Sequence, residues 1–351
     1  MECGGPPSGE RRDVHSMHVI PIPRLNFMKH SVLRTAAAIV VPALFLTGCG
    51  WFVRRATIAY IALYSQFTPS RIEMQIDNSF IAQYKNRVTI HTAMLVDKAM
   101  SNPVGGALDG DLHFAGRAPQ VALPLVAEIA NADAEPSAVK LVHDAEGTSV
   151  PLRVSGVWRI WSEHPGSAPE KQGAPLPAFT SYKPDHIFEI HPITKIGKMW
   201  LLGTFVPVKG FSPGGAQRTF GIYEAAPCTL SVHPKSVSIV TTTGLYNDVE
   251  FIMAISSEPQ HKVADGRFVI ASALDLGGHV LVNRLRMVFA ADSPPERAVR
   301  LLKSGDHLHV YGIPRLDFDE IWRRVKFSQS DPKLLTLPLP YEIVILGVYP
   351  N

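Results

Sequence analysis

The sequence contains two short groups in which acids and histidines alternate with other residues. Asp109, Asp111 and His113 are spaced by two residues, and so are Glu189 and His191. Because side chains of a strand alternate between its two faces, each group shares one face if its segment is a strand. Carboxylates and imidazoles that converge from neighbouring strands bind divalent metals such as zinc or manganese. The same groups serve as general acid and base in hydrolases.

Three further polar residues stand out in the same half of the chain: Glu128, Glu163 and His164. An acid beside a histidine on a strand is also a common hydrogen-bonded pair, so a structural interpretation stays open beside a metal-binding and a catalytic one. We predict no catalytic residue and no cofactor, with a divalent metal as the alternative. The candidate binding or metal cluster consists of Asp109, Asp111, His113, Glu163, His164, Glu189 and His191.

Aromatic residues accompany these groups. Trp158, Trp161 and Phe188 lie in segments that alternate like strands. On the binding face of a small barrel such rings stack on bases or sugars. At strand spacing they are equally suited to the core, and both interpretations stay open. The formal net charge is only +3 for 351 residues, which makes a long nucleic acid an unlikely partner.

An export signal is predicted near the N-terminus. A short basic segment, residues 28–34, precedes an apolar segment, residues 35–46, and Leu46-Thr47-Gly48-Cys49 follows directly. This arrangement resembles the signal peptide and lipobox of bacterial lipoproteins. The resemblance implies cleavage before Cys49 and acylation of its thiol. The apolar segment is shorter than the roughly 20 residues of a membrane-spanning helix, although an uncleaved anchor is the alternative interpretation.

The lipoprotein resemblance implies an address in the bacterial cell envelope. Gly50 rather than an aspartate follows the cysteine, which implies an outer-membrane anchor with the protein facing the periplasm. Met28 is an alternative to Met1 as the true start. Residues 51–67 are apolar and either lie against the membrane or pack on the first domain. The predicted partners are the membrane, through lipidated Cys49, and an unknown protein or glycan.

Length and composition predict two globular domains of ordinary size. The chain has 46% hydrophobic and 19% charged residues, and its 29 prolines fit a β-rich chain with many turns. The three cysteines, Cys3, Cys49 and Cys228, have no metal-ligand spacing and form no even-numbered disulfide framework once the signal is removed. Cys228 is therefore predicted to be a small buried residue.

Hydrophobic patterning predicts two similar domains, each with three strands, a short helix and two more strands. This is the element order of an OB-fold barrel, so the predicted fold is mainly β with two OB-like barrels. In each half, the predicted helix is followed by a strand that lies between two glycines, at 147–156 and at 305–312. The predicted elements of the first domain are 86–96, 109–114, 121–129, the helix 136–141, 150–161 and 185–196. Those of the second are 249–255, 267–274, 280–290, the helix 294–302, 305–312 and 339–348.

The predicted domain boundaries follow from these elements. They comprise an N-terminal extension and signal peptide (1–49), a tether or membrane-proximal helix (50–78), the first barrel (79–197), a connecting segment (198–227) and the second barrel (228–351).

Residues 86–196 resemble a group of uncharacterised exported bacterial proteins with an OB-like barrel. The motifs that carry the resemblance are D-G-D-x-H at 109–113, Ala127-Glu128, a V-x-G strand that reaches His164, and E-[IL]-H-P at 189–192. The resemblance implies a shared barrel and implies no activity.

Two functions from different classes follow. The first is an exported, membrane-anchored lipoprotein that acts as a binding or structural module of the cell envelope. The alternative is a metal-dependent periplasmic hydrolase that uses the acid-and-histidine cluster of the first domain.

Overall fold

The computed structural model describes residues 71–105, 108–328 and 334–350, which belong to one compact unit. The predicted signal peptide, the lipobox with Cys49 and the apolar segment 51–67 lie outside the described residues. Within these ranges, no helix has both the length and the hydropathy required to cross a membrane.

The described residues are mainly β, as the sequence predicts. In chain order the strands are β1 Arg71–Asp77, β2 Thr89–Ala99, β3 Leu112–Arg117, β4 Leu125–Ile129, β5 Leu152–His164, β6 Glu170–Lys171, β7 His186–Ile196, β8 Met199–Trp200, β9 Pro227–Val232, β10 Ser236–Thr242, β11 Val249–Ile255, β12 His261–Val263, β13 Gly266–Leu274, β14 Val280–Ala290, β15 His307–Leu316, β16 Leu335–Pro338 and β17 Tyr341–Val348. The α-helices are α1 Asn78–Tyr84, α2 Pro136–Ala145, α3 Ala216–Ala225, α4 Pro294–Val299 and α5 Phe318–Ser328.

The first barrel is closed by five strands. β2 pairs antiparallel with β3 and with β5, and β4 pairs antiparallel with β3. β7 closes the barrel because it pairs antiparallel with β5 and parallel with β4. Helix α2 lies between the third and fourth strands and has Pro136 in its first turn, where a missing N–H is tolerated. These pairings are those of an OB-like barrel.

The second barrel repeats this topology with β11, β13, β14, β15 and β17. β11 pairs with β13 and β15, β13 pairs with β14, and β17 pairs antiparallel with β15 and parallel with β14. Helix α4 again lies between the third and fourth strands. Ser293 caps it by accepting a hydrogen bond from the backbone N–H of Glu296. The prediction of two OB-like barrels is therefore confirmed.

A third sheet, which the sequence does not predict, has the strand order β16-β9-β10-β1-β6. The structure differs here from the predicted boundaries. Residues 71–77 of the predicted tether form a strand, and the predicted connecting segment contains α3. The N-terminal part of the predicted second barrel contributes β9 and β10 to this sheet. Glu170–Lys171, in the segment between β5 and β7, pairs in parallel with β1.

Two apolar clusters stabilise this arrangement. The larger one includes barrel residues such as Phe114 and Ile343 together with residues of the third sheet, among them buried Cys228. The smaller one joins residues of both barrels, including Val157 of β5 and Ile313 of β15. Because side chains alternate along a strand, the smaller cluster lies on the outer faces of the two barrels. The barrels therefore pack against each other through a buried seam.

Candidate functional site

The acid and histidine side chains of the first barrel lie on the face of β3, β4, β5 and β7 that turns toward this seam. The alternate residues on these strands, such as Phe114, Ala127 and Ile190, belong to the larger apolar cluster. Glu128 and His191 are each only 4% exposed, although they point away from the barrel interior. The second barrel contacts this face at Arg159, whose Nε donates a hydrogen bond to the carbonyl of Pro314 in β15.

His191 lies between two carboxylates. Its Nε2 is 3.1 Å from Oδ2 of Asp111, and its Nδ1 is 3.0 Å from Oε2 of Glu128. Burial alone would lower the pKa of His191, but the charges of Glu128 and Asp111 outweigh burial and hold this pKa well above its usual range. Burial raises the pKa of Asp111 to about 6, although His191 partly opposes the shift. The protonation of Asp111 and that of His191 therefore depend on each other.

Glu189 forms the centre of a second group of charges. It accepts a short hydrogen bond from Arg159, and its Oε1 is 3.2 Å from Nε2 of His186. Burial would raise the pKa of Glu189, but the adjacent guanidinium of Arg159 holds it well below its usual range. Oε2 of Glu189 is also 3.8 Å from Nδ1 of His191, so the two groups are contiguous.

Three of the predicted cluster residues take peripheral positions. Glu163 lies 2.9 Å from His164 and 3.3 Å from the guanidinium of Arg159, which connects this pair to the buried group. His164 is the more exposed partner, with one third of its side chain accessible. Oδ1 of Asp109 accepts a hydrogen bond of 3.3 Å from the backbone N–H of Asp111. His113 is closer to the centre, with its Nδ1 3.5 Å from Oε1 of Glu128.

The predicted aromatic candidates belong to the core. Trp158 stacks on Phe318 with ring centroids 4.5 Å apart, and Phe188 packs edge-on at 6.0 Å against Phe80. Trp161 donates a hydrogen bond from Nε1 to a backbone carbonyl and is 2% exposed. The interpretation of these rings as a stacking surface is wrong, because a base or a sugar cannot reach a buried face.

The structure brings together Asp111, His113, Glu189 and His191 from the predicted cluster. It adds Glu128, which the sequence singled out but the predicted cluster omitted, and two residues that sequence reasoning missed, Arg159 and His186. A motif that occurs once in each half of the sequence could have pointed to Arg159. Gly-Val-Trp-Arg at 156–159 matches Gly-Ile-Pro-Arg at 312–315, and Phe-Glu-Ile at 188–190 matches Tyr-Glu-Ile at 341–343.

The repeat has the same structure in both barrels. Arg159 and Glu189 are direct cross-strand partners on the fourth and fifth strands of the first barrel. Arg315 and Glu342 are direct partners on the fourth and fifth strands of the second, with Nε 2.7 Å from Oε1. All four residues are 4% exposed or less. The two barrels thus carry the same buried ion pair at the same position, facing the same seam.

Two short patterns that occur in hydrolases lack the required context. Gly210-Phe211-Ser212-Pro213-Gly214 matches G-x-S-x-G, but it lies in a loop between a 3₁₀ turn and α3 rather than in a strand-to-helix turn. Ser137 and Lys140 match S-x-x-K within α2, where Nζ of Lys140 pairs with Asp144 at 2.6 Å. Neither serine is placed as a nucleophile.

A surface groove of about 340 Å³ on the first barrel is lined by other residues, including His91, Arg153 and Lys195. None of the predicted site residues lines it. Comparison of the whole chain with protein-family models and with curated proteins finds no match. The chemistry of the site is therefore inferred from its geometry. A buried network of paired carboxylates, imidazoles and guanidinium groups can join two domains and can ligate a cation.

Proposed function

We propose that this chain is a non-catalytic module of the bacterial cell envelope, anchored through lipidated Cys49. In this proposal its two OB-like barrels form one rigid body that binds a protein or glycan partner or supports an envelope assembly. The anchor and the envelope address rest on the sequence resemblance at Leu46–Cys49.

The observation that carries the non-catalytic assignment is the position of the charged cluster in the seam between the barrels. Asp111, Glu189 and His191 are between 3% and 4% exposed, and their charged atoms face one another. A general base or a nucleophile has to approach the reacting atoms of a substrate within hydrogen-bond distance. Side chains buried between two domains support a role in holding those domains together.

Rigidity is the second part of the argument. Nε of Arg159 donates a hydrogen bond of 2.8 Å to the carbonyl of Pro314, and Nη1 of Arg315 donates one of 2.9 Å to the carbonyl of Trp158. Charged donors that are buried on backbone acceptors of the other barrel resist separation, because separation leaves carbonyls unpaired and exposes the apolar seam. A fixed pair of barrels is suited to present a constant surface to a partner.

The metal-dependent hydrolase is the second candidate, since oxygens of Asp111 and Glu128 and a nitrogen of His191 lie within 4.8 Å of one another. A catalytic metal also needs an open coordination position that substrate can enter. The burial of these three side chains favours the non-catalytic proposal.

The anchor is tested by metabolic labelling of the full chain with an alkynyl palmitate, followed by membrane fractionation. We expect label and membrane association in the wild type and in Cys228→Ala, and loss of both in Cys49→Ser. Label that persists in Cys49→Ser would contradict the proposed anchor.

The non-catalytic assignment is tested with the full chain in detergent micelles. We expect saturable binding to one component of a glycan array or of cross-linked membranes, unchanged by Glu163→Gln, and no turnover of ester, phosphoester or glycoside substrates. Turnover that disappears in His191→Gln while the unfolding midpoint stays within about 2 °C of the wild type would overturn the proposal.

A further inference from the structure

We propose that Asp111, Glu128 and His191 hold one divalent transition-metal ion, of the kind that zinc exemplifies, as a structural part of the seam. His113 lies beside this site, with its Nδ1 3.5 Å from Oε1 of Glu128. The inference goes beyond the proposed function, because a lipid-anchored binding module needs no metal and would remain one if the ion were absent.

The first support is distance. One oxygen from each carboxylate and one ring nitrogen of His191 all lie within 4.8 Å of one another. Nε2 of His191 is already 3.1 Å from Oδ2 of Asp111. Tetrahedral zinc with ligands at about 2.0–2.2 Å places neighbouring ligand atoms about 3.3 Å apart. The three groups therefore lie close to the spacing that the ligands of one ion require.

The second support is the absence, in the part of the chain that the structure describes, of well-aligned hydrogen bonds at the two buried imidazoles. Both ring nitrogens of His113 and both of His191 are buried, and among the described residues none has a partner with hydrogen-bond geometry. The short distances from His191 to the carboxylates thus lack the alignment of good hydrogen bonds. Every imidazole carries at least one N–H, and leaving it buried without a partner is unfavourable. A cation on one ring nitrogen, with the other N–H on a carboxylate, is the usual arrangement around zinc.

The third support is the local charge balance. Glu189 is neutralised by Arg159, which contacts it directly, and lies 3.2 Å from His186. Among the described residues, the ionisable partners at comparable distances from Asp111 and Glu128 are the imidazoles of His113 and His191. Oδ1 of Asp111 also accepts a hydrogen bond of 3.3 Å from the backbone N–H of Asn131. Two buried carboxylates without a permanent cation are unfavourable in a region of low dielectric constant. A divalent ion compensates both charges.

The ligand set also indicates which ions fit. Calcium and magnesium prefer sites made entirely of oxygen, whereas mixed imidazole and carboxylate ligands suit zinc, manganese or iron. A site that is closed by protein side chains and covered by a second domain has the character of a structural zinc centre. Such an ion would join β4 and β7 of the first barrel to Asp111, which immediately precedes β3.

The test uses the full chain, purified in detergent without chelators from a metal-replete culture. We expect about one equivalent of zinc or manganese by mass spectrometry of the metal content. Removal with EDTA should lower the unfolding midpoint by about 5 °C or more, and one equivalent of ZnCl₂ should restore it. Cobalt substitution should give the visible absorption of a tetrahedral site.

Matched variants locate the ion. His191→Gln and Glu128→Gln should each reduce bound metal to below about 0.1 equivalent. His186→Gln, which changes a buried histidine beside Glu189, and His164→Gln, at the accessible edge, should retain it. If a ligand variant fails to fold, the proposal is tested on the wild type alone, by the change of its unfolding midpoint when EDTA removes the metal and zinc is added back. Less than about 0.1 equivalent of any transition metal, with no midpoint shift on adding zinc or manganese, would overturn the inference. Labelling at Cys49 is independent of that result.

Discussion

Arg159 and Arg315 reach across the seam to each other's strands. Each lies on the fourth strand of its own barrel, pairs with a glutamate on the fifth, and donates to the carbonyl of the residue that precedes the other arginine. The contact is therefore reciprocal, as in a two-fold symmetric dimer, although both barrels belong to one chain. These reciprocal hydrogen bonds hold the fourth strands of the two barrels together.

Loss of Arg315 should be among the most destabilising changes outside the apolar core. Arg315→Met removes the cation 2.7 Å from Glu342 and leaves the carbonyl of Trp158 without its donor. Removing one partner of a buried ion pair lowers the free energy of unfolding by about 3–5 kcal/mol. We expect a loss of this size for Arg315→Met in urea unfolding. The control is Arg323→Ala, because that side chain is 59% exposed and its ion pair contributes less than about 1 kcal/mol. If the two variants lowered the free energy of unfolding equally, the proposed stabilising role of Arg315 between the barrels would be contradicted.

The two glycines of the repeat should not tolerate a methyl group. A Cβ at Gly156 would lie 2.6 Å from the carbonyl oxygen of Pro192, and one at Gly312 would lie 2.4 Å from that of Val344. We expect Gly156→Ala and Gly312→Ala each to lower the free energy of unfolding by about 2 kcal/mol or more. Gly221→Ala is the matched control in α3, where a Cβ meets nothing within 4 Å. It should be neutral or stabilising by up to about 1 kcal/mol in the same urea titration.

Glu170 should make stability depend on pH. Burial raises the pKa of Glu170 to about 7, a shift that His186 and two backbone N–H groups partly oppose. Since the folded state keeps this proton to a higher pH than the unfolded chain, the contribution to stability is complete below about pH 4.5 and is lost as the pH rises through 7. Glu170→Gln should therefore match the wild type near pH 4 and exceed its stability by roughly 1–3 kcal/mol near pH 8.

The measurement is urea unfolding of both proteins across this pH range. Asp144→Asn serves as the control, because its side chain is 55% exposed and should leave the wild-type profile unchanged. An identical fall in stability for wild type and Glu170→Gln between pH 4.5 and 8 would refute the assignment.

Asp265 should anchor the start of the first barrel to the second. Its Oδ2 accepts hydrogen bonds from the backbone N–H groups of Val88 and Thr89, at 3.1 and 2.8 Å, and from the Thr89 hydroxyl at 2.9 Å. Asp265→Ala leaves these donors without their acceptor and should lower the free energy of unfolding by about 2–4 kcal/mol. Hydrogen exchange gives a specific readout, since the amides of residues 88 and 89 should exchange faster. Unchanged protection at both amides would contradict this prediction.

The barrels were accessible to sequence reasoning because each strand alternates locally and each barrel contains its strands in chain order. Phe188-Glu189-Ile190-His191 has this alternation without reference to any partner. The third sheet was not accessible in this way. Ile76 pairs with Val237, 161 residues away, and no local pattern specifies such a partner.

Burial of the charged groups was equally inaccessible. Arginine and glutamate on a strand have the pattern of an outward-facing, solvated surface, and they do point away from the barrel interior. The repeat of glycine and arginine in the two halves was present in the sequence, but its meaning depends on the two fourth strands facing each other. For the same reason Trp158 and Trp161 looked available for stacking, although both are covered.

By itself, the sequence determined the two OB-like barrels, the order of their strands and which residues share a strand face, such as Asp111 with His113 and Glu189 with His191, because alternation and turn residues act over short distances. Only the tertiary structure decided that these groups are buried. Packing of the folded chain around them removes their water, and each charge then depends on a neighbour from another strand. That dependence, which no single segment encodes, makes the cluster a joint between domains and a candidate site for a cation.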